Sequence, residues 1–118
     1  MRTTDVDRRL PVKPVAFQIL LSLADEDRHG YAITRDIATR TSAGIRIEAG
    51  NLYRHIRSML ADGLIEEAGR RPARERDDER RRYYRMTALG RRVAAAETVR
   101  LEAVLADARR KRWLRGRA

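Results

Sequence analysis

The sequence predicts a mainly α-helical fold with a small β-hairpin, and three observations support this prediction. Aromatic residues make up 5% of the chain and charged residues 37%, a composition that favours helices over an all-β sandwich. An amphipathic helix ends at Gly63 and runs directly into a strand-like segment, residues 64–67. A second strand-like segment, residues 82–87, follows a long charged loop. Because a helix followed by a hairpin with a basic tip is the working part of a winged helix-turn-helix, we expect that fold.

The length and composition indicate one small domain. The 118 residues suffice for one modest core, and burial stabilises so small a domain only marginally. The chain has no cysteine, which excludes disulfides, thiolate catalysis and zinc sites built on cysteine. Residues 1–13 lack the apolar stretch of a signal peptide, and residues 15–24, the most apolar run, are about half as long as a bilayer requires. We therefore expect a soluble cytoplasmic protein with no membrane partner.

The first predicted helix begins at Pro14, which fits a first helical turn because proline lacks an N–H. Residues 15–24 are apolar apart from Gln18 and Ser22, so nearly every side of this helix needs cover. Phe17 and Leu21 lie four residues apart, on a side that so small a domain does not cover by itself. We expect these two residues to contact a second subunit.

A second helix is predicted from His29 to about Arg40. His29 fits a turn or packing residue better than a sensor, since it stands where the helix opens. Residues 41–44 form a predicted turn, in which Gly44 suits a positive φ. Residues 45–47 alternate in polarity and form either a short strand or an extended linker.

The third predicted helix has the clearest amphipathic pattern. Its apolar residues follow the spacing i, i+4, i+7 and i+8 from Leu52, which predicts an inward-packed stripe. The helix begins either with Asn51 as its N-cap or near Glu48. Tyr53 lies at the border between the apolar stripe and the opposite face. That opposite face carries Asn51, Arg54, Arg57, Ser58 and Ala61.

Residues 64–67 and 83–87 are the two predicted arms of the hairpin. The loop between them, residues 70–81, holds no apolar side chain larger than alanine and cannot bury itself. Thr87 is the predicted N-cap of a last helix that runs from about Ala88 to Arg112.

The last helix has a broad apolar side that Glu97 and Arg100 interrupt near the middle. A stripe with one acid and one base in it is more typical of a helix–helix seam between subunits than of a sealed core. The apolar side comprises Leu89, Val93, Ala96, Leu101, Val104, Leu105 and Ala108. The predicted organisation is an N-terminal arm (1–13), a winged helix-turn-helix (14–87), a C-terminal dimerisation helix (88–113) and a basic tail (114–118).

The net charge of +10 is concentrated in two short segments. Residues 70–85 carry eight arginines against four acidic residues, and residues 109–117 carry six basic residues and no acid. The rest of the chain is neutral. Such local basic fields attract a polyanion, although basic tails and arginine-rich loops often serve only solubility.

Four short motifs stand in an order and spacing that point to one family. They are His29-Gly30-Tyr31-Ala32-Ile33, Gly50-Asn51-Leu52-Tyr53, Asp62-Gly63-Leu64-Ile65 and Arg81-Arg82-Tyr83-Tyr84-Arg85-Met86-Thr87-Ala88-Leu89-Gly90. Together they span most of residues 14–108, and the chain resembles the PadR family of bacterial transcriptional regulators, in its short subfamily with a single C-terminal helix. Many relatives have Ser or Gly followed by Pro where this chain has Glu48-Ala49, and a common Thr where it has Asn51.

The resemblance implies a homodimeric repressor that binds a palindromic double-stranded DNA operator. Its third helix would enter the major groove, and the wing, residues 70–82, would lie along the phosphate backbone or over the minor groove. Some relatives respond to phenolic acids or planar aromatic drugs near the dimer interface, so a small aromatic effector is a further expected partner. The expected DNA-binding residues are Asn51, Tyr53, Arg54, Arg57 and Ser58 on the helix, and Arg80, Arg81 and Arg82 on the wing. The expected dimer interface comprises Phe17, Leu21, Leu89, Val93, Ala96, Leu101, Val104, Leu105 and Ala108.

Two other classes of function stay open, an RNA-binding winged helix and a protein-interaction module without DNA binding. An enzyme is not expected, because the sequence shows no nucleophile–base pair, phosphate-binding glycine loop or carboxylate pair. No cofactor and no metal site are expected either, since the chain has only two histidines and no cysteine.

Overall fold

The computed structural model describes residues 2–42, 44–69 and 82–114. Its helices are α1 (Thr3–Asp7), α2 (Pro14–Ser22), α3 (Gly30–Arg40), α4 (Ala49–Ala61) and α5 (Ala88–Arg109). Its strands are β1 (Arg28–His29), β2 (Ile65–Glu67) and β3 (Tyr83–Met86), and a 3-10 turn covers Arg112–Leu114. Helices α2, α3 and α4, followed by the β2–β3 hairpin, form a winged helix-turn-helix. The predicted fold class is therefore confirmed, and α1 and β1 are additions to it.

The sheet is antiparallel and has the strand order β1-β3-β2. The hairpin register pairs Ile65 with Met86 and Glu67 with Tyr84, which places the buried Ile65 and Tyr84 towards the core. On the other side of β3, His29 pairs with Tyr83. The sheet thus ties the start of α3 to the base of the wing.

The core lies where α2, α3, α4 and α5 meet the sheet. The apolar stripe predicted for α4 is buried, with Leu52, Ile56 and Met59 each at most 3% exposed. Other fully buried side chains in the core are Ile19, Leu20, Ile33, Ile37, Ile65 and Val93. The inward face of α4 is therefore fixed, and its opposite face is the one left towards solvent.

Helix α4 begins after Glu48, so of the two predicted starts the earlier one is confirmed and Asn51 lies inside the helix. The helix ends at Ala61, and two residues later Gly63 has a φ of +79°, which suits glycine. The Gly63 N–H donates to the Leu60 carbonyl (3.1 Å) and the Leu64 N–H to the Met59 carbonyl (3.0 Å). This pair of bonds is a Schellman C-cap, and it turns the chain directly into β2.

The turn after α3 contains a left-handed residue at Ser42, whose φ is +54°. The positive φ predicted for Gly44 stays a prediction, because that angle depends on residue 43, which lies outside the described residues. Residues 45–47 form no strand, and Ile45 and Ile47 pack half-buried against the core as an extended linker. Of the two predicted forms for this segment, the linker is therefore the one observed.

Side-chain caps fix the starts of α3 and α5. His29 Nδ1 accepts from the Ala32 N–H (3.1 Å), which agrees with its prediction as a turn residue. The Thr87 hydroxyl accepts from the Gly90 N–H (2.9 Å), which confirms the predicted N-cap of the last helix, and it also donates to the Gly63 carbonyl (2.6 Å). The end of α4 and the start of α5 are thereby held together.

The N-terminal segment folds back onto the domain. Val6, in α1, is 5% exposed and Val12 is 9% exposed, so both belong to the core. Within the described ranges, no helix is both long enough and apolar enough to cross a membrane.

Candidate nucleic-acid interface

The outward face of α4 carries the predicted DNA-reading residues. Arg54, Arg57 and Ser58 are exposed, whereas Asn51 and Tyr53 are half-buried. The face stands immediately before the hairpin, because the helix and β2 are joined only by the C-cap at Gly63. Two arginines and a hydroxyl on one rigid helix are well placed to meet the edges of bases and the flanking phosphates.

Asn51 and Arg54 act as a unit on this face. A terminal nitrogen of the Arg54 guanidinium donates to the Asn51 side-chain oxygen, one helical turn earlier. His55 Nδ1 lies 3.0 Å from the Asn51 carbonyl oxygen. These contacts limit the rotamers of the polar side chains before any partner arrives, which lowers the entropy cost of binding.

Tyr53 has a packing role that the sequence pattern did not indicate. A methyl group at Gly30 would lie 2.3 Å from the Tyr53 hydroxyl oxygen and 3.3 Å from a Leu52 methyl group, so the first turn of α3 receives the tyrosine only because residue 30 is glycine. Tyr53 packs against the core with its ring and touches the start of α3 with its hydroxyl. Two of the four sequence motifs, those that contain Gly30 and Tyr53, therefore contact each other in the fold.

The base of the wing carries exposed ion pairs between its strands. Arg82 donates to Glu67 (3.3 Å) and Arg85 to Glu66 (2.8 Å). Such exposed pairs stabilise a hairpin little, so Arg82 can exchange its carboxylate for a phosphate at small cost. Arg80 and Arg81, the other predicted wing residues, lie outside the described residues.

The predicted dimer residues divide into two groups along α5. Val93 is completely buried within the domain and has no surface to offer to a second copy, so we leave it out of the interface. Leu89 and Ala96 are half-buried, and so is Phe17 of α2; all three pack against the core. The remaining predicted residues, apart from the half-buried Ala108, keep large exposed fractions: Leu21 41%, Leu101 38%, Val104 50% and Leu105 49%.

Glu97 and Arg100 do not interrupt an intersubunit seam as expected; they form a contact within the domain. Glu97 is 2% exposed and accepts two hydrogen bonds from Arg100 (2.8 and 2.7 Å) and one from the Val12 N–H (3.2 Å). The hydrogen bond from Arg100 lowers the pKa of Glu97 below its ordinary value of 4.5, burial opposes this, and the Val12 N–H lowers the pKa further. The spacing of three residues suggests the pair, but no local signal marks the contact with Val12.

This pair predicts a pH-dependent contribution to stability. Because the folded pKa of Glu97 is lowered, the carboxylate stabilises the fold above pH 4.5 and this contribution is lost as the pH falls through the folded pKa. We expect Glu97→Gln to lower the free energy of unfolding by about 1–3 kcal/mol at neutral pH, and the gap to the wild type to shrink in acid. Urea unfolding of both proteins from about pH 7 to about pH 3 measures the gap.

Comparing the wild type with Glu97→Gln isolates the contribution of Glu97 to the pH dependence of stability. Burial raises the pKa of Asp36, but the hydrogen bonds from Arg40 and Ser22, together with the charges of Arg40 and Arg28, lower it below its ordinary value. Its titration is common to both proteins and cancels. If the difference in free energy of unfolding between the wild type and Glu97→Gln did not change with pH, the carboxylate of Glu97 would not stabilise the fold as proposed.

The described residues contain no group of three or more side chains arranged to hold a metal ion. They do contain an open cleft of about 660 Å³ between α4 and the N-terminal segment. The surface of interest therefore consists of the exposed face of α4, the wing beside it and this cleft.

Comparisons with known proteins agree with this geometry. The model of the transcriptional regulator PadR-like family matches residues 19–96, more than half of the chain. A transcriptional regulator from Clostridium thermocellum is 25% identical and has a TM-score of 0.68, over 81% of this chain and 90% of that one. RosR from H. salinarum is 25% identical with a TM-score of 0.60, over 84% and 79% of the two chains.

Two further relatives are more distant or only partly matched. PadR from Bacillus subtilis, solved in complex with operator DNA, has a TM-score of 0.63 over 75% of this chain and 49% of that one; at 16% identity this likeness shows a shared fold. An uncharacterized protein from Lysinibacillus sphaericus is 32% identical over 73 residues, which are 62% of this chain and 64% of that relative. The chain thus spans less than two thirds of that relative's length. From the family match and the fold together, the chain belongs to the PadR-like family of transcriptional regulators.

Proposed function

We propose that this protein is a sequence-specific DNA-binding repressor that acts as a homodimer. The observation that carries the proposal is the exposed polar face of α4, with Arg54, Arg57 and Ser58 directed away from the core and the wing following at once. Helix α4 enters the major groove, where arginine pairs with guanine through two hydrogen bonds and asparagine pairs in the same way with adenine. PadR from Bacillus subtilis, which shares the fold, was solved with operator DNA and supports this choice of partner.

The wing supplies phosphate contacts beside the groove. Arg82 is exposed immediately before β3, and we propose that it contacts the sugar–phosphate backbone. Arg80 and Arg81 are proposed to contact the same stretch of backbone. Phosphate contacts fix the register of a protein on DNA without reading the sequence. The wing would therefore supply electrostatic attraction, and α4 would recognise the bases.

The exposed apolar residues of α5 are the proposed dimer surface. Leu101, Val104, Leu105 and Ala108 follow the spacing i, i+3, i+4 and i+7, which places them along one stripe of the helix. Leu21 of α2 is also exposed. Because a surface this apolar is unusual for a monomer rich in charge, we expect a two-fold symmetric dimer that covers it.

Charged substitutions on this stripe test the dimer. Leu101→Asp combined with Leu105→Asp should convert the dimer to a monomer, because each subunit would bury two carboxylates in the interface. Ala103→Asp is the matched control, since Ala103 is exposed on the opposite side of α5. Sedimentation equilibrium measures the mass of each variant. A wild type that is monomeric at high concentration, or a double variant that remains dimeric, would rule out this surface.

The signal that releases the repressor is proposed to be a small aromatic compound bound near the dimer interface, as in some relatives. Since the proposed partner is genomic DNA, the proposed location of the protein is the cytoplasm.

The test of the proposed function compares three nucleic acids at the same salt concentration. The probes are a duplex from the promoter of the protein's own gene, a scrambled duplex and an RNA hairpin. We expect the promoter duplex to bind at least about 10³-fold more tightly than the scrambled one. Equal binding to all three would exclude a sequence-specific repressor, a preference for the hairpin would favour an RNA-binding protein, and no binding at low salt would favour a protein-interaction module.

A further inference from the structure

The N-terminal segment, residues 2–13, is held against α4 and α5 by contacts of Val6, Arg9 and Val12. Two nitrogens of the Arg9 guanidinium donate to the Asp62 carbonyl, at 3.3 and 3.1 Å, and so hold the segment to the end of α4. The Val12 N–H donates to the buried Glu97 of α5. Val6, 5% exposed, belongs to the core. The backbone that carries the cations of this segment is therefore held beside α4.

The cleft of about 660 Å³ separates this segment from α4. Its cations are Arg8, Arg9 and Lys13 on one wall and Arg54 on the other, and Asp62 is the single carboxylate among its described lining residues. Asp62 lies 3.5 Å from Arg9 and neutralises that charge in part. Arg8 and Lys13 are exposed, and Arg8 has only a long, exposed ion pair with Asp5 (3.8 Å). The cleft therefore keeps a net positive charge that faces solvent.

The position of the cleft connects it to the reading face. Arg54 and Ser58 line the cleft and also belong to the exposed face of α4, so the two surfaces are continuous. A polyanion lying along α4 would have its backbone directed past Lys13 and Arg8. The N-terminal segment also lies outside residues 19–96, the part of the chain that matches the family.

We propose that this cleft binds the sugar–phosphate backbone of the DNA strand next to the base pairs that α4 reads, with Lys13 and Arg8 as the phosphate contacts. The inference rests on the proposed DNA binding and extends it to a second surface. Lysine and arginine pair with phosphate oxygens through charge-assisted hydrogen bonds. The residues of α4 would read the sequence, whereas the N-terminal segment would add affinity that depends on salt and not on sequence.

The double variant Arg8→Ala/Lys13→Ala tests this proposal. Each lost phosphate contact should reduce the slope of log K against log salt concentration by about 0.9, so the slope should fall by nearly two for each subunit bound, on both the promoter and the scrambled duplex. Arg91→Ala/Arg92→Ala is the matched control, because it removes two exposed arginines of α5 that lie outside both basic segments. A slope equal to that of the wild type, or an equal fall in both double variants, would overturn the proposal. Lys13→Gln alone gives the same test with half the change if the double variant is unstable.

A second measurement locates the contact on the DNA. Hydroxyl-radical cleavage should show sugars on the promoter duplex that the wild type protects and the double variant leaves open, while protection in the region read by α4 is retained. Identical footprints would overturn the proposal. Inorganic phosphate, titrated at constant ionic strength, should not compete with DNA at low millimolar concentration; competition that disappears in the double variant would assign the cleft to a free anion instead. The slope on scrambled duplex tests the cleft even if the protein shows no preference for its promoter, so the two proposals fail separately.

Discussion

Replacing Gly90 with alanine is expected to lower the free energy of unfolding by about 3 kcal/mol or more. A methyl group there would lie 2.0 Å from the Leu64 carbonyl oxygen and 2.9 Å from Met86 Cγ. The carbonyl cannot retreat easily, because it accepts a hydrogen bond from the Thr87 N–H (3.1 Å). Alanine would favour a helix by about 1 kcal/mol, but this gain is smaller than the cost of the overlap.

The matched control is Gly50→Ala, in the first turn of α4. No atom lies within 4 Å of a methyl group at that position, so the helical preference of alanine acts alone and the variant should be slightly more stable than the wild type. Chemical unfolding followed by circular dichroism measures both variants. A Gly90→Ala variant as stable as the wild type would contradict the close approach of α5 to Leu64, the residue before β2.

Removing the Arg54 side chain is expected to weaken binding to the promoter duplex by about 1–3 kcal/mol for each half-site of the dimer. Binding to a scrambled duplex should weaken much less, because it depends on phosphate contacts and not on base edges. The fold should be unaffected, since Arg54 is exposed. Arg109→Ala, which removes an exposed arginine at the end of α5, is the control for loss of charge.

Two further variants separate the roles of this side chain. Arg54→Lys retains the positive charge but loses the two-pronged geometry of the guanidinium, so full recovery of affinity would mean that Arg54 contacts only a phosphate. Because Arg54 donates to Asn51, the effects of Arg54→Ala and Asn51→Ala should not add. Unchanged affinity and selectivity in Arg54→Ala would rule out a role in base reading.

The elements that the sequence predicted well are those with a long repeating pattern. Helix α4 shows three buried residues at helical spacing, Leu52, Ile56 and Met59, followed by Gly63, so its faces and its end were both evident. The hairpin arms and the Thr87 cap have similarly local signals. The same pattern predicted the exposed face of α4, because a helix with one side buried in the core has its opposite side towards solvent.

The parts that the sequence did not reveal depend on contacts between distant residues. Strand β1 has two residues, too few for any periodicity, and exists because β3 pairs with it. The contact between Val12 and Glu97 joins residues 85 positions apart, and neither residue is unusual in its local sequence. Tyr53 was assigned to the DNA-facing border, but its packing against Gly30 depends on the crossing of α3 and α4.

The central claim is that α4 lies in the major groove of DNA, and methylation of guanine N7 by dimethyl sulfate tests it most directly, since N7 is exposed in that groove. On the promoter duplex, the account predicts protected guanines in two half-sites about one helical turn apart, with protection lost at the same guanine of each half-site in Arg54→Ala. Affinity for the duplex without any protected N7, or protection that is unchanged in Arg54→Ala and Arg57→Ala, would contradict it.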